Sequence, residues 1–184
     1  YTGNGSAGNT ASHSLSAAPS VVIVKKRSDT GQWVVGHKAM DSGFDYFMFL
    51  DATNAKGNAD NVFNDTAPSS SVITLGNAGD TNANTQTYVA YCFAPKQGFS
   101  KFGKWTGNGN ADGAFVYLGF RPAWVMIKRT NSTQNWYLWD SKREGYNVDN
   151  DHLQAQGTDA EGPADTLDLL SNGFKIRESG VGTN

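Results

Sequence analysis

The sequence predicts an all-β fold, an antiparallel two-sheet sandwich of the jelly-roll or concanavalin-like kind with internal duplication. Three observations predict it. Residues 1–38, YTGNGSAGNTASHSLSAAPSVVIVKKRSDTGQWVVGHK, are echoed by residues 105–141, WTGNGNADGAFVYLGFRPAWVMIKRTNSTQNWYLWDS. Short runs rich in β-branched and aromatic residues, bounded by Gly, Asn, Asp or Pro, recur along the whole chain. No segment sustains the i, i+3, i+4, i+7 stripe of an amphipathic helix, so helices should be few and short.

In chain order the first strands fall at 20–26, 32–38, 44–50, 72–75 and 87–94. Their counterparts fall at 115–118, 123–129, 135–140, 167–170 and 174–177. The copies stay in phase from Pro19 to Pro122 and from Trp33 to Trp136, 103 positions in both cases. Each copy opens on a TGNG tetrapeptide, and each forms a hairpin entered through a Pro, turned by SDTG at 28–31 or NSTQ at 131–134. Ser171-Asn172-Gly173 joins the last two strands, and its Asn-Gly can take the positive φ of a tight hairpin. The 87–94 strand carries Val89, Tyr91 and Phe93 on one side and Ala90, Cys92 and Ala94 on the other. That pattern suits the middle of a covered sheet.

The domain reading is one duplicated β domain over 1–184, with a first copy at 1–104 and a second at 105–184 that lacks its last strand. The second copy runs to FKIRESGVGTN, where the first continues from VITLGNAGDTNAN into TQTYVAYCFAP. An unpaired central strand would be an aggregation liability. The expectation is therefore that these residues are a piece of a longer protein or that another chain closes the sheet.

Composition narrows the function. Charged residues make up 17% of the chain and the net charge is −2, against roughly 25% charged in ordinary globular proteins. Nucleic acid is excluded as a partner, because binding phosphates needs a surplus of Lys and Arg. Polarity comes instead from Gly, Asn, Ser and Thr, which make a neutral, turn-rich surface. The single Cys92 excludes an internal disulfide and a cysteine-built zinc cluster. No apolar run approaches the ~18 residues that span a bilayer, so membrane insertion is not expected.

The candidate chemistry is sparse. The TGNG loops lack the Lys of a phosphate loop and read as turns. His13, His37 and His152 are far apart, and the repeat sets Tyr117 and Asp140 opposite the first two. Glycoside hydrolysis needs two facing carboxylates, for which Asp140 and Glu144 in WDSKRE are the candidates, beside a simpler role as solvated partners of Lys142 or Arg143. Asp149, Asp151, Asp159 and Glu161 supply hard oxygens of the kind calcium takes, without EF-hand spacing. Trp33 and Trp136 match between the copies and read as core anchors. Trp124 and Trp139 stand where the first copy has Val21 and Gly36, which makes them, with Asp140, the ligand or interface candidates.

The phrases TYVAYCFAP, GFSKFGKWTGNGNADGAFVYLGFRPAWVMIKRT, NWYLWD and LLSNGFKIR carry a resemblance that runs through nearly the whole chain. The sequence resembles an uncharacterised domain family frequent in marine tailed-phage genomes, where it sits in tail-fibre and other virion proteins. The resemblance brings no catalytic residues with it. It implies a non-enzymatic virion structural or adhesion domain, located in the virion or extracellularly. Its partners would be other copies of itself, other virion proteins or a host surface glycan. The competing expectation is a carbohydrate-active enzyme or carbohydrate-binding module on a β-sandwich.

Overall fold

The computed structural model describes residues 1–41, 44–143, 147, 151–162 and 166–184. Strands dominate, in several antiparallel sheets. Two helices of four residues each, α1 (Asp60–Phe63) and α2 (Gly79–Asn82), are present among the described residues. No helix there is long and apolar enough to cross a membrane. The chain divides into two compact units, Tyr1–Pro95 and Lys96–Asn184.

The first unit contains β1 (Asn9–Ser12), β2 (Val21–Lys26), β3 (Trp33–His37), β4 (Tyr46–Phe49), β5 (Gly57–Asn58), β6 (Val72–Leu75) and β7 (Tyr88–Phe93). Five of them form a sheet in the order β5-β4-β3-β2-β7, and β1 pairs with β6. Alternation along β2 sends Val22 and Val24 into a core with Val34, Phe44, Phe63, Ile73, Leu75 and Tyr88. The other parity, Val21 and Ile23, lies on the opposite face with Trp33 and Val35.

The second unit contains β8 (Phe115–Tyr117), β9 (Trp124–Lys128), β10 (Trp136–Asp140), β11 (Leu153–Gln154), β12 (Leu167–Leu170) and β13 (Gly173–Ile176), in sheets ordered β11-β10-β9 and β12-β13-β8. Its core gathers Val125, Ile127, Trp139, Leu167, Leu169, Phe174 and Ile176. The strand starts keep the sequence offset, Val21 to Trp124 and Trp33 to Trp136. The inward pair Val125 and Ile127 answers Val22 and Val24.

In each unit an asparagine distant in sequence holds the TGNG opening. The Asn82 Oδ1 accepts from Asn4 N at 3.0 Å and Asn9 Nδ2 at 2.8 Å, and its Nδ2 donates to Ser6 O at 2.9 Å and Gly76 O at 2.6 Å. In the second unit the Asn184 Oδ1 accepts from Asn108 N at 2.8 Å, and its Nδ2 donates to Asn110 O at 2.6 Å and Glu178 O at 2.7 Å. The three Asn184 partners each have a counterpart at Asn82, Asn108 with Asn4, Asn110 with Ser6 and Glu178 with Gly76, while Asn9 has none. A Cβ on Gly3 would lie 2.3 Å from Ala83 O, and one on Gly107 2.1 Å from the Asn184 carbonyl carbon. Glycine is needed here so that opening and clasp can touch.

Two expectations are corrected. The 87–94 strand is an edge strand, not a central one: β7 ends the five-stranded sheet, and Tyr91 and Phe93 are each 44% exposed. On its far side, at its start, Tyr88 exchanges backbone hydrogen bonds with Tyr1. The hairpin of β12 and β13 forms as expected, with Leu170 opposite Gly173, but neither Asn172 nor Gly173 has a positive φ. Gly173 serves the neighbouring strand instead, since a Cβ there would sit 2.1 Å from Val116 O of β8.

Candidate functional site

Of the two distinctive tryptophans, the structure exposes one and buries the other. Trp124 begins β9 and is 53% exposed, where its counterpart Val21 is 5% exposed. Trp139 is 1% exposed and belongs to the core. This corrects the ligand assignment for Trp139, and the reason is volume. A Cβ on its counterpart Gly36 would meet Phe44 and Phe63 ring atoms at 2.6–2.7 Å. In the first unit two phenylalanines, edge to face at 5.3 Å, fill the space over that strand; in the second, Trp139 fills it from the strand itself. Trp136 is buried, as an anchor should be, on the sheet face opposite Trp139, whereas Trp33 is only half-buried and stacks on Tyr91 at 6.1 Å.

Asp140 ends β10 and does not face a second free carboxylate among the described residues. It accepts from Lys142 N at 2.8 Å, Arg143 N at 3.0 Å and Arg143 Nε at 2.8 Å, and Arg143 also donates to Glu161 Oε1 at 2.6 Å. Burial pushes the Asp140 carboxyl up, but the two amides and the guanidinium together outweigh it and hold the group below the usual carboxylate range. A carboxyl held ionised and clamped this way is unsuited to the general-acid role that glycoside cleavage needs. Glu144, its suggested companion, lies outside the described residues.

The described members of the calcium set do not form a site. Asp149 lies outside the described residues. Asp159 is exposed, Asp151 is half-buried, and Glu161 is committed to Arg143. Among the described residues no group of three or more His, Cys, Asp or Glu side chains could hold a metal ion.

His152 packs edge-on against Tyr137 at 5.2 Å and lies 6.0 Å from Trp139. Burial lowers its pKa, against the opposing pull of Glu178 and Asp151. A Cβ on Gly162 would lie 2.9 Å from its ring, so the imidazole fills a packed corner. His37 accepts from Ala39 N at 3.0 Å and its pKa is likewise lowered, by burial and then Lys38. His13 accepts from Leu15 N at 3.4 Å. These are structural placements.

What the structure brings forward is a distribution of aromatics that the sequence did not reveal. Among the described residues five exposed aromatic side chains lie in strands: Tyr91 and Phe93 on β7, Phe115 and Tyr117 on β8, and Trp124 on β9. All three strands are sheet edges. Exposed apolar side chains on sheet edges are uncommon, since edges are usually blunted by charge, Pro or a cover. Lys101 adds a cation 5.2 Å from the Tyr117 ring centroid and donates to Tyr117 O at 2.7 Å. Only Trp124 among these was singled out from the sequence. Finding the others required knowing which strands lie at an edge.

No curated protein and no solved structure matches the chain. A family model described as a domain of unknown function (DUF7483) matches residues 1–184, and the chain belongs to that family.

Proposed function

We propose that the chain is a non-enzymatic virion structural or adhesion domain of the tail-fibre or appendage type, built as an internally duplicated β-sandwich. It contacts neighbouring subunits or the host surface through its strand edges. The observation that carries this reading is the placement of Tyr91, Phe93, Phe115, Tyr117 and Trp124, exposed and all on edge strands. Large aromatics anchor protein interfaces. The clamped Asp140 and Glu161 support a binding role over a hydrolytic one. The half-buried Trp33 stacked on Tyr91, next to Phe93 on the same strand face, favours a second reading, a carbohydrate platform, since flat rings pack against sugar faces.

The test is binding of labelled chain to whole bacterial cells and to a polysaccharide panel, alongside electron microscopy of particles decorated with antibody to the chain. Antibody at a tail or appendage, with binding that falls at least about tenfold in Trp124→Ala or Phe93→Ala, is the expected result. Release of reducing sugar from any polysaccharide, unchanged in those variants, would sink the proposal.

A further inference from the structure

Charge is not spread evenly over the chain. Residues 96–121, KQGFSKFGKWTGNGNADGAFVYLGFR, carry Lys96, Lys101, Lys104 and Arg121 against a single acid, Asp112, in a protein whose net charge is −2. Asp112 is itself paired with Lys175 at 2.8 Å. All four cations are exposed, and among the described residues none of them is in an ion pair. Lys96 and Ser100 form an isolated bridge, with Ser100 N donating to Lys96 O at 2.8 Å. The chain thereby turns back on itself, and Lys96 stands next to the neighbour of Lys101.

Two aromatic rings belong to the same stretch. On β8 Val116 packs against the core, so Phe115 and Tyr117 share the opposite face, about 7 Å apart along the strand. They stand opposite Lys175 and Gly173 of β13. A Cβ on Gly173 would lie 3.2 Å from Phe115 Cε2, and one on Gly119 3.5 Å from Tyr117 Oη. Each ring thus rests against a residue without a side chain, which leaves it supported but 46% and 59% exposed respectively. Lys101 Nζ stands 5.2 Å from the Tyr117 ring centroid and donates to Tyr117 O at 2.7 Å. That bond uses one of its three N–H groups and leaves two. Ile176 N donates to Ala114 O and Leu118 N to Asn172 O, so the alternation puts the Tyr117 carbonyl on the free edge of β8. Lys101 occupies the acceptor that an added peptide strand would need there, and the surface suits a ligand that stacks on it rather than one that extends the sheet.

We propose that Phe115, Tyr117 and Lys101 form a binding site for an acidic polysaccharide built of uronic acid units. A sugar ring lays its C–H face on one of the aromatic rings, whose π faces are negative. Its carboxylate takes the two remaining N–H groups of Lys101 as charge-assisted hydrogen bonds. Lys104 follows Lys101 by three residues and Arg121 follows Tyr117 by four, at most about 11 and 14 Å of chain. With Lys96 they meet further carboxylates along the polymer. The rings hold the sugar and the cations select its charge, so a neutral glycan satisfies only half of the site. The inference rests on reading the edge aromatics as contact surface, as proposed above, and names the ligand class for the β8 part of it.

The test titrates the 184-residue chain with oligomers of galacturonic, glucuronic and mannuronic acid and with their methyl esters, followed by calorimetry and by amide chemical shifts. The expected result is that at least one acid binds, moves the Lys101, Phe115 and Tyr117 amides, and weakens with added salt. Its methyl ester, the same sugar without the charge, binds at least about tenfold more weakly, a contrast that depends on no variant folding. Lys101→Gln and Tyr117→Ala each lower the affinity by about tenfold or more, with the Val125 and Ile127 amides unmoved to show that the fold is intact. Binding of none of the three acids, equal binding of acid and ester, or binding that survives both substitutions would overturn the proposal. So would a preference for anionic phospholipid vesicles over the oligomers. Cell binding that Trp124→Ala removes, without uronate binding, overturns this inference and leaves the contact surface standing. Cell binding untouched by Phe93→Ala, Trp124→Ala and Tyr117→Ala alike overturns both.

Discussion

Replacing Asn82 with Ala should loosen the first unit far more than the matching change, Asn184→Ala, loosens the second. Asn82 is fully buried, and its amide serves five partners if the 3.3 Å bond to Asn4 Oδ1 is included. Its loss strands the buried Gly76 carbonyl, at a cost of about 1–3 kcal/mol. The Ser6 carbonyl and the Asn4 amide belong to exposed residues; water replaces their partner and the cost is about 0.5–1 kcal/mol each. The sum is about 3 kcal/mol, which raises the opening equilibrium of the unit by about a hundredfold. Two of the three Asn184 bonds are exposed, so its removal should cost about 1 kcal/mol, a factor of roughly five. Native-state hydrogen exchange separates the units where a single melting curve would not. The Val22 and Val24 amides report on the first unit, Val125 and Ile127 on the second. The reasoning fails if Asn82→Ala speeds exchange at Val22 and Val24 by less than about fivefold, or if the two substitutions accelerate their own units equally.

Gly36→Ala should destabilise the first unit by about 1–3 kcal/mol through its clash with Phe44 and Phe63, and Trp139→Ala the second by about 3–5 kcal/mol, both read by chemical denaturation. Asp140 has a folded pKa below the ordinary carboxylate value, so its stabilising contribution is complete above about pH 4 and fades as pH falls through the folded value. Arg143→Met should flatten that acid limb without altering stability near neutrality by more than about 1 kcal/mol. Lys128 is lowered to about 8, by burial and then by Arg129. The unfolded chain therefore holds more protons than the folded one between about pH 8 and 10.5, and stability of the second unit should rise with pH across that window. Trp fluorescence of unfolding, four of whose five reporters lie in this unit, should lose the rise in Lys128→Met.

The strands were legible because burial of one face imposes a period of two that the chain displays openly, and because the two hairpins repeat each other in phase. Strands β1, β5 and β11 were not: β5 and β11 are two residues each, too short to show alternation, and β1, Asn-Thr-Ala-Ser, has one β-branched residue and no aromatic. Trp139 misled for a physical reason. A difference between copies resembles a mark of chemistry, but a core preserves volume rather than identity. The bulk that Phe44 and Phe63 bring over Gly36 comes in the other unit from the strand itself. The 87–94 strand misled because apolarity on both faces occurs both in a buried sheet centre and, as here, on an edge strand that keeps Tyr91 and Phe93 exposed, and sequence alone does not separate them. The asparagine clasp was hidden because its offset between copies is 102, from Asn82 to Asn184, not the 103 of the hairpins.

That clasp has a topological consequence. By tying Asn4 to Asn82 and Asn108 to Asn184, it closes a loop that holds most of the strands of its unit. The entropy needed to close a loop grows only slowly with its length, so a single amide side chain can hold so long a segment shut.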